Sequence, residues 1–382
     1  MQKAELLPEE TVKGYLHDCG SIRRMLISSI NTVKEKHPEA AILFAGATGG
    51  MECELVPREG YELKCVDISR FERSLSPKSI VHNIKTALTL GRAKKQAARI
   101  INEFKPDVVV GTGGYASYPI IDMASKLGIP TAIHESNFAP GLTTRMLAPK
   151  ANCIMVNYPE CAKGYSEPEK VVVTGTPVRE GFLFEKKSEA KKALGYGEEP
   201  LVLSYWGSLG AREMNKKIAG FMALEAKDGS FRHIHATGSF GWRWMPEFVK
   251  ERGVELENTP FIEMKEYIYN MPALMAAADI IICRAGASTI SEVCAAGVPA
   301  IMVPSPNVAE NHQEKNARAL EEQGAAVVLL EKDAEPEKMY SLVKELLSDS
   351  ERRQSMSRAL ISMSVLDSAE RIYNIICSLI KR

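Results

Sequence analysis

Two glycine turns carry the densest chemistry in this 382-residue chain. The first, Tyr205-Trp206-Gly207-Ser208-Leu209-Gly210-Ala211, follows the apolar run Leu201 to Tyr205 and precedes a helical stretch, Arg212 to Leu224. Glycines at such a place let backbone N–H groups and a helix N-terminus approach an anion closely, and the Ser208 hydroxyl adds a donor. The second, CRAGASTISE over 283–292, again follows an apolar run and opens a helix. For either turn alone, a tight strand-to-helix connection without a ligand is an equal account; two in one half of the chain make coincidence a poorer one. Glu292 falls in the first turns of the second helix, where a carboxylate caps backbone N–H groups or accepts two neighbouring hydroxyls.

Other polar groups cluster at the ends of apolar runs. Pro304-Ser305-Pro306 leads to Glu310-Asn311-His312-Gln313-Glu314-Lys315-Asn316, whose amides and imidazole suit a pattern of hydroxyls or simply solvate a helix start. In the first half, Gly111-Thr112-Gly113-Gly114-Tyr115 offers another anion turn, and His134-Glu135-Ser136-Asn137 sets a possible acid or base at a strand end, where open α/β sheets bind ligands. Arg179, in TGTPVR, could reach a diphosphate or make a surface ion pair. His233 and His235 share one strand face but have no third metal ligand nearby, so they read as structural. No Asp-x-Asp occurs, so the sequence gives no carboxylate clamp for a metal–nucleotide.

These residues need a parallel-sheet scaffold. Strand candidates are Ala41–Phe44, Leu63–Ile68, Val108–Val110, Thr131–Ile133, Cys153–Val156 and Val171–Val173, then Leu201–Tyr205, His233–Ala236, Ile280–Cys283, Ala300–Val303 and Ala326–Leu330. Several are apolar at consecutive positions, as in strands covered on both faces. Two tandem α/β units follow, joined near the charged stretch Lys186 to Glu199. Met356, Leu360, Met363, Ile372, Ile376 and Leu379 predict one last helix over Glu351–Lys381 with a buried stripe. Composition is that of a globular chain, with 45% hydrophobic and 25% charged residues. The 48 basic and 48 acidic residues balance to zero, which argues against a general nucleic-acid binder. Eight cysteines without a CxxC pair read as reduced thiols, and neither an export signal nor a membrane span is visible.

The motifs GTGGY (111–115), HESN (134–137), TGTPVR (174–179), GSLGA (207–211), EYIYNM (266–271), RAGASTISE (284–292) and HQEKNA (312–317) stand in the order of the MurG glycosyltransferase family, which the chain resembles from about Thr32 to its C-terminal helix. The resemblance implies a GT-B fold, α/β with two Rossmann-like lobes facing a central cleft. An acceptor and membrane lobe over 1–180 would be joined by a C-terminal helix over 365–382, and 181–364 would bind the donor. It also implies transfer of GlcNAc, with inversion, from UDP-GlcNAc to undecaprenyl-pyrophosphoryl-MurNAc-pentapeptide at the cytoplasmic face of the bacterial membrane. UDP-GlcNAc is then a substrate, and no cofactor is required. Carried over by motif, Ile268 would meet uracil, Glu292 the ribose, and Ala287, Ser288 and Thr289 the phosphate turn. Ser208 and Arg179 would face the diphosphate, while Gln313 and Asn137 would reach the donor sugar. Gly111, Gly113, Gly114 and Tyr115 would form the acceptor-side turn, and Glu135 or His134 is the candidate base.

Two departures stand out. Thr176 replaces a usual asparagine, and residues 1–31 show neither the family's initial β-strand nor its GGTGGH-like loop. A displaced start or frame accounts for the second better than a real loss; a catalytically impaired UDP-sugar-binding homologue is the rival reading. An NAD(P) oxidoreductase is disfavoured, because neither GATGGM nor GTGGYA meets GxGxxG with a following acid. Residues 70–99 carry eight basic side chains against Glu72 alone. Lys78, Lys85, Arg92, Lys94 and Lys95 there flank Ile80, Ile84 and Leu88 at four-residue spacing, a patch suited to an anionic membrane surface.

Overall fold

The computed structural model describes residues 15–18, 23–50, 52–69, 76–178, 186–207 and 209–380. They form two compact units, one of residues 1–177 with 367–382 and one of residues 178–366. The first contains strands β1 (Tyr15–Asp18), β2 (Ile42–Ala47), β3 (Glu62–Val66), β4 (Val108–Gly111), β5 (Thr131–Glu135), β6 (Cys153–Val156) and β7 (Val171–Val173). Its helices are α1 (Arg23–Lys36), α2 (Glu52–Arg58), α3 (Pro77–Phe104), α4 (Ser117–Lys126) and α5 (Leu142–Leu147). All seven strands are parallel, in the order β3-β2-β1-β4-β5-β6-β7. Strands β4, β5 and β6 are buried along their whole length, which is why they read as unbroken apolar runs.

The expectation that residues 1–31 lack a strand is corrected here. Strand β1 lies at the centre of the sheet, with Leu16 in register beside Leu43 on one side and Val109 on the other. Tyr-Leu-His-Asp has no β-branched residue to announce it; pairing along both edges supplies what its own propensity does not. Residues 19–22, which join it to α1 and include Cys19-Gly20, lie outside the described residues.

The second unit contains β8 (Leu201–Tyr205), β9 (Arg232–Ala236), β10 (Ile262–Lys265), β11 (Ile280–Cys283), β12 (Ala300–Met302) and β13 (Ala326–Val328). They are again all parallel, in the order β10-β9-β8-β11-β12-β13. Its helices are α6 (Lys187–Ala193), α7 (Arg212–Asp228), α8 (Ser239–Trp242), α9 (Met245–Lys250), α10 (Met271–Ala277), α11 (Ala287–Ala296), α12 (His312–Glu322), α13 (Pro336–Ser348) and α14 (Ser350–Met363). Strand β10, which the apolar pattern does not predict, is an edge strand in which buried Ile262 is followed by half-buried Glu263, Met264 and Lys265.

The single last helix is also corrected. It breaks at Ser364, whose backbone is extended, and resumes as α15 (Ser368–Ile380). Met356 belongs to the core of the second unit, whereas Ile372, Ile376 and Leu379 pack with Ile30, Phe44 and Val108 in the first. One apolar stripe therefore serves two cores. The described cysteines form no disulfide, and no helix among the described residues is long and apolar enough to cross a membrane.

Candidate functional site

Because every strand of the second sheet runs the same way, the connections that leave the strand C-termini gather along one edge. Gly207 (φ 87°) and Gly210 (φ 80°) shape the turn after β8, and both angles favour glycine. A Cβ on Gly210 would lie 2.1 Å from the Thr237 carbonyl oxygen, and one on Gly238, in the turn after β9, would lie 2.2 Å from the Gly210 nitrogen. These two turns therefore abut backbone to backbone. Ser208 lies outside the described residues.

After β11, Gly286 takes the N-cap position of α11, whose first residues are half-buried Ala287, exposed Ser288 and half-buried Thr289. Glu292 follows in the second turn, half-buried. The Gln313 Oε1 at the start of α12 accepts the Ser305 N–H at 2.9 Å, which ties α12 to the loop after β12. Ile268 is buried, and the rings of its two chain neighbours, Tyr267 and Tyr269, meet edge-on at 5.1 Å. Sequence reasoning missed two braces. The Arg284 guanidinium donates to the Val303 carbonyl at 3.1 Å, pairs with Glu331 at 2.5 Å and lies 5.7 Å from the Trp206 ring. The buried Asn316 amide donates to the Ala285 carbonyl at 3.4 Å. Their partners are 19 or more positions away in sequence, so no local pattern announces them.

In the first unit, Gly111 ends β4, and Gly113 (φ 76°) and Gly114 (φ 79°) turn the chain toward half-buried Tyr115. The Ser117 hydroxyl holds this turn by donating to the Gly113 carbonyl at 2.6 Å. At the end of β5, the buried Glu135 carboxylate is fully engaged. Its Oε1 accepts from the Asn137 backbone N–H at 3.1 Å and side-chain amide at 3.0 Å, while its Oε2 accepts from Gly141 N–H at 3.0 Å and the Thr144 hydroxyl at 2.6 Å. His134 is buried, with Nε2 at 2.8 Å from the Gly175 carbonyl, so that nitrogen carries the proton. Burial holds its pKa below the usual value, and Nδ1 has no hydrogen-bond partner. Beside the role of base expected for one of them, both residues position backbone here: Glu135 holds the 136–144 loop and His134 the 174–176 segment. Thr176, at the usual asparagine position, donates to Asn157 Oδ1 at 2.5 Å, and Asn157 in turn donates to the Ser136 carbonyl. Arg179 lies outside the described residues.

On α3, Ile80 is 49% and Leu88 76% exposed, and Lys78, Arg92 and Lys95 are exposed with them. The side chains of Ile84 and Lys85 lie outside the described residues. Lys94 departs from the proposed patch. It pairs at 2.8 Å with Asp122, whose side chain is wholly buried and also held by Lys126 and Lys150. Burial alone would raise the Asp122 pKa, yet the hydrogen bonds from Lys150, Lys94 and Lys126 hold it down to about 2.

Two parallel α/β units with their polar turns at the strand C-termini define the GT-B class of glycosyltransferases. Residues 24–156 match the glycosyltransferase family 28 N-terminal domain and residues 202–372 the glycosyltransferase family 28 C-terminal domain, and the chain belongs to this family. A relative from Thermoanaerobacter sp. (strain X514) is 42% identical over 92% of this chain and 95% of its own length. One from Acetivibrio thermocellus is 39% identical over 91% of this chain and 92% of its own. Both are named UDP-N-acetylglucosamine–N-acetylmuramyl-(pentapeptide) pyrophosphoryl-undecaprenol N-acetylglucosamine transferase. The crystal structure of Acinetobacter baumannii MurG has the same fold, with a TM-score of 0.76 at 22% identity, covering 96% of this chain and 99% of that one.

Proposed function

We propose that this chain is an inverting N-acetylglucosaminyltransferase that moves GlcNAc from UDP-GlcNAc to the muramyl 4-hydroxyl of the undecaprenyl-linked muramyl-pentapeptide, making lipid II from lipid I. The observation that carries this reading is the gathering of residues 207, 209–211, 237–238, 266–271, 284–292 and 304–316 at one edge of the second sheet. Backbone N–H groups at the start of α11, with Ser208 and Arg179, take the diphosphate. Backbone groups of Ile268 take uracil, and Glu292 accepts the two ribose hydroxyls. The Ser305 N–H holds the Gln313 amide through its oxygen, which supports the reading that its Nε2–H groups donate to the sugar.

Inversion needs the acceptor hydroxyl opposite the departing UDP, with a base to take its proton. Glu135 and His134 serve that step by holding Asn137 and the loop after β5 in place rather than by taking the proton. The exposed apolar and basic residues of α3 support attachment to the cytoplasmic face of an anionic membrane. The rival of an impaired UDP-sugar-binding homologue draws no support from the relatives, all named as transferases, and β1 supplies the first strand that the sequence did not announce. A transfer assay with radiolabelled UDP-GlcNAc and a lipid-linked acceptor tests the reading; binding of donor without transfer refutes it. Glu292→Ala leaves two ribose hydroxyls without their acceptor and should weaken UDP-GlcNAc binding by about 1–3 kcal/mol, measured by calorimetry.

A further inference from the structure

The second unit buries a continuous chain of polar groups that the transfer reaction does not use directly. Glu225 and Asn215 project from α7, Ser204 from β8, and His233 and His235 from β9, and each is at most 1% exposed. Asn215 Nδ2 donates to the Thr237 carbonyl at 2.8 Å. A carbonyl only accepts, so the amide nitrogen must face it and Asn215 Oδ1 must face His235 Nε2, 3.2 Å away. That nitrogen therefore carries a proton. Burial drives the His235 pKa well below the usual value, so the ring is neutral and its Nδ1 accepts the Ser204 hydroxyl at 2.7 Å. With its one proton spent, Ser204 Oγ accepts from His233 Nε2 at 2.8 Å. Burial also pushes His233 down to about 3 and Glu225 up to about 10. A neutral His233 then offers only a lone pair at Nδ1 to Glu225 Oε2, 2.8 Å away, so Glu225 must be a protonated acid donating to it. All five hydrogen bonds run one way, from Glu225 on the back of the sheet to the Thr237 carbonyl at its ligand edge.

That carbonyl is the atom a Cβ on Gly210 would strike at 2.1 Å. The Thr237–Gly238 turn is hemmed in further. Thr237 N–H donates to the Lys265 carbonyl at 2.9 Å and Gly238 N–H to the Glu266 carbonyl at 3.1 Å, at the start of the 266–271 segment. A Cβ on Gly241 would lie 2.2 Å from Asn215 Nδ2, so the amide is walled in on that side. The turn thus joins the segment assigned to uracil with the turn assigned to the diphosphate, and Asn215 is the side chain that holds it.

We propose that Asn215 is a positioning residue for the nucleotide-sugar, clamping the Thr237–Gly238 turn against Gly210, and that a neutral Glu225, acting through His233, Ser204 and His235, fixes the orientation of its amide. This role rests on the reading of the second unit as the donor site. Asn215→Leu, close in size, cannot donate to the carbonyl and breaks the clamp. Ser204→Ala interrupts the chain. Glu225→Gln preserves it, because a glutamine N–H donates to His233 Nδ1 as the protonated acid does.

The variants are compared with wild type by UDP-GlcNAc calorimetry and by steady-state kinetics in both substrates, well below each melting temperature. Asn215→Leu should raise Kd and KM for UDP-GlcNAc about tenfold or more, with KM for the lipid acceptor unchanged, and Ser204→Ala should raise them severalfold. Glu225→Gln should stay within about twofold of wild type. A folded Asn215→Leu with wild-type donor affinity overturns the role, and so does a Glu225→Gln variant as impaired as Asn215→Leu. Nitrogen NMR of the wild-type histidines needs no variant to fold: both rings should be neutral with Nε2 protonated at pH 7, and a cationic His233 or an Nδ1–H tautomer overturns the assignment. Wild-type chain that binds no UDP-GlcNAc overturns the donor-site reading and this role with it, whereas wild-type binding left untouched by Asn215→Leu overturns the role alone.

Discussion

The two units place their polar turns at the same edge of a parallel sheet but hold them by different means. In the second, turns are held largely by other turns, Gly210 against Thr237 and Gly238, and Gly238 N–H on the Glu266 carbonyl, with helix amides such as Asn316 bracing from behind. In the first, the carboxylate of Glu135 gathers four donors across residues 137–144. A backbone-built edge fails on the addition of a Cβ at its close approaches, or on loss of an amide that clamps it from behind. An edge gathered by one carboxylate fails with that carboxylate.

The largest effect should come from Gly210→Ala. The new Cβ would meet a carbonyl oxygen at 2.1 Å in backbone that already sits at φ 80°. Positive φ alone costs an alanine about 1–3 kcal/mol, and relieving the clash displaces Thr237 as well. UDP-GlcNAc affinity should fall about a hundredfold by calorimetry, near 3 kcal/mol, together with a lower melting temperature. Unchanged affinity would show that the abutting turns lie outside the donor site.

For the first unit, Glu135→Gln separates a positioning residue from a base. The glutamine keeps one acceptor but sets an amide donor against either the two Asn137 donors or Gly141 N–H and the Thr144 hydroxyl. Stability in urea should drop by about 2 kcal/mol. Turnover of the folded fraction should stay within about tenfold of wild type, whereas loss of a general base costs about 10²–10⁴. A loss in the second range would restore Glu135 as the base.

The same contrast explains what is legible in the sequence. Turns built on glycine announce themselves, so 207–211 and 284–292 stand out by residue type alone, as do the strands that are apolar at every position. Strand β1, Tyr-Leu-His-Asp, carries no β-branched residue, and β10 is an edge strand with charged Glu263 and Lys265; each owes its conformation to its neighbours. The Glu135 network needs Thr144, and the buried chain needs Ser204 beside two residues of β9 about 30 positions on. Such pairings follow from sheet order, which single residues do not report. The break at Ser364 stays hidden because the apolar spacing continues from one core into the other.

The buried Asp122 of the first unit offers a test through acid. Its pKa is held at about 2, below the ordinary carboxyl value of 3.8. A depressed carboxyl pKa adds stability that is present above the unfolded value and lost as pH falls through the folded one. The shift corresponds to about 2 kcal/mol. Asp122→Asn should therefore be less stable than wild type by about that amount at pH 7, with the gap closing between about pH 4 and pH 2 in urea titrations. A gap independent of pH would mean that packing, rather than the three lysines, sets its value.

The smallest effect concerns the membrane face of α3, and it turns on which lysines are already committed. Ile80 and Leu88 are exposed two helical turns apart, with Lys78, Arg92 and Lys95 exposed around them, so they can meet lipid and anionic headgroups. Lys94 lies in the same sequence run but is held by Asp122, so it is a fold cation rather than a surface one. Leu88→Ser should weaken sedimentation with anionic vesicles by about 1 kcal/mol, a several-fold change in partitioning, since a leucine at a headgroup boundary buries only part of its surface. Lys95→Ser should cost about 1 kcal/mol and flatten the salt dependence. Lys94→Ser should instead lower stability in urea while vesicle binding and its salt slope stay as in wild type. Equal loss of vesicle binding from Lys94→Ser and Lys95→Ser would show that the ion pair with Asp122 opens at the membrane, and would count Lys94 among the lipid-facing charges after all.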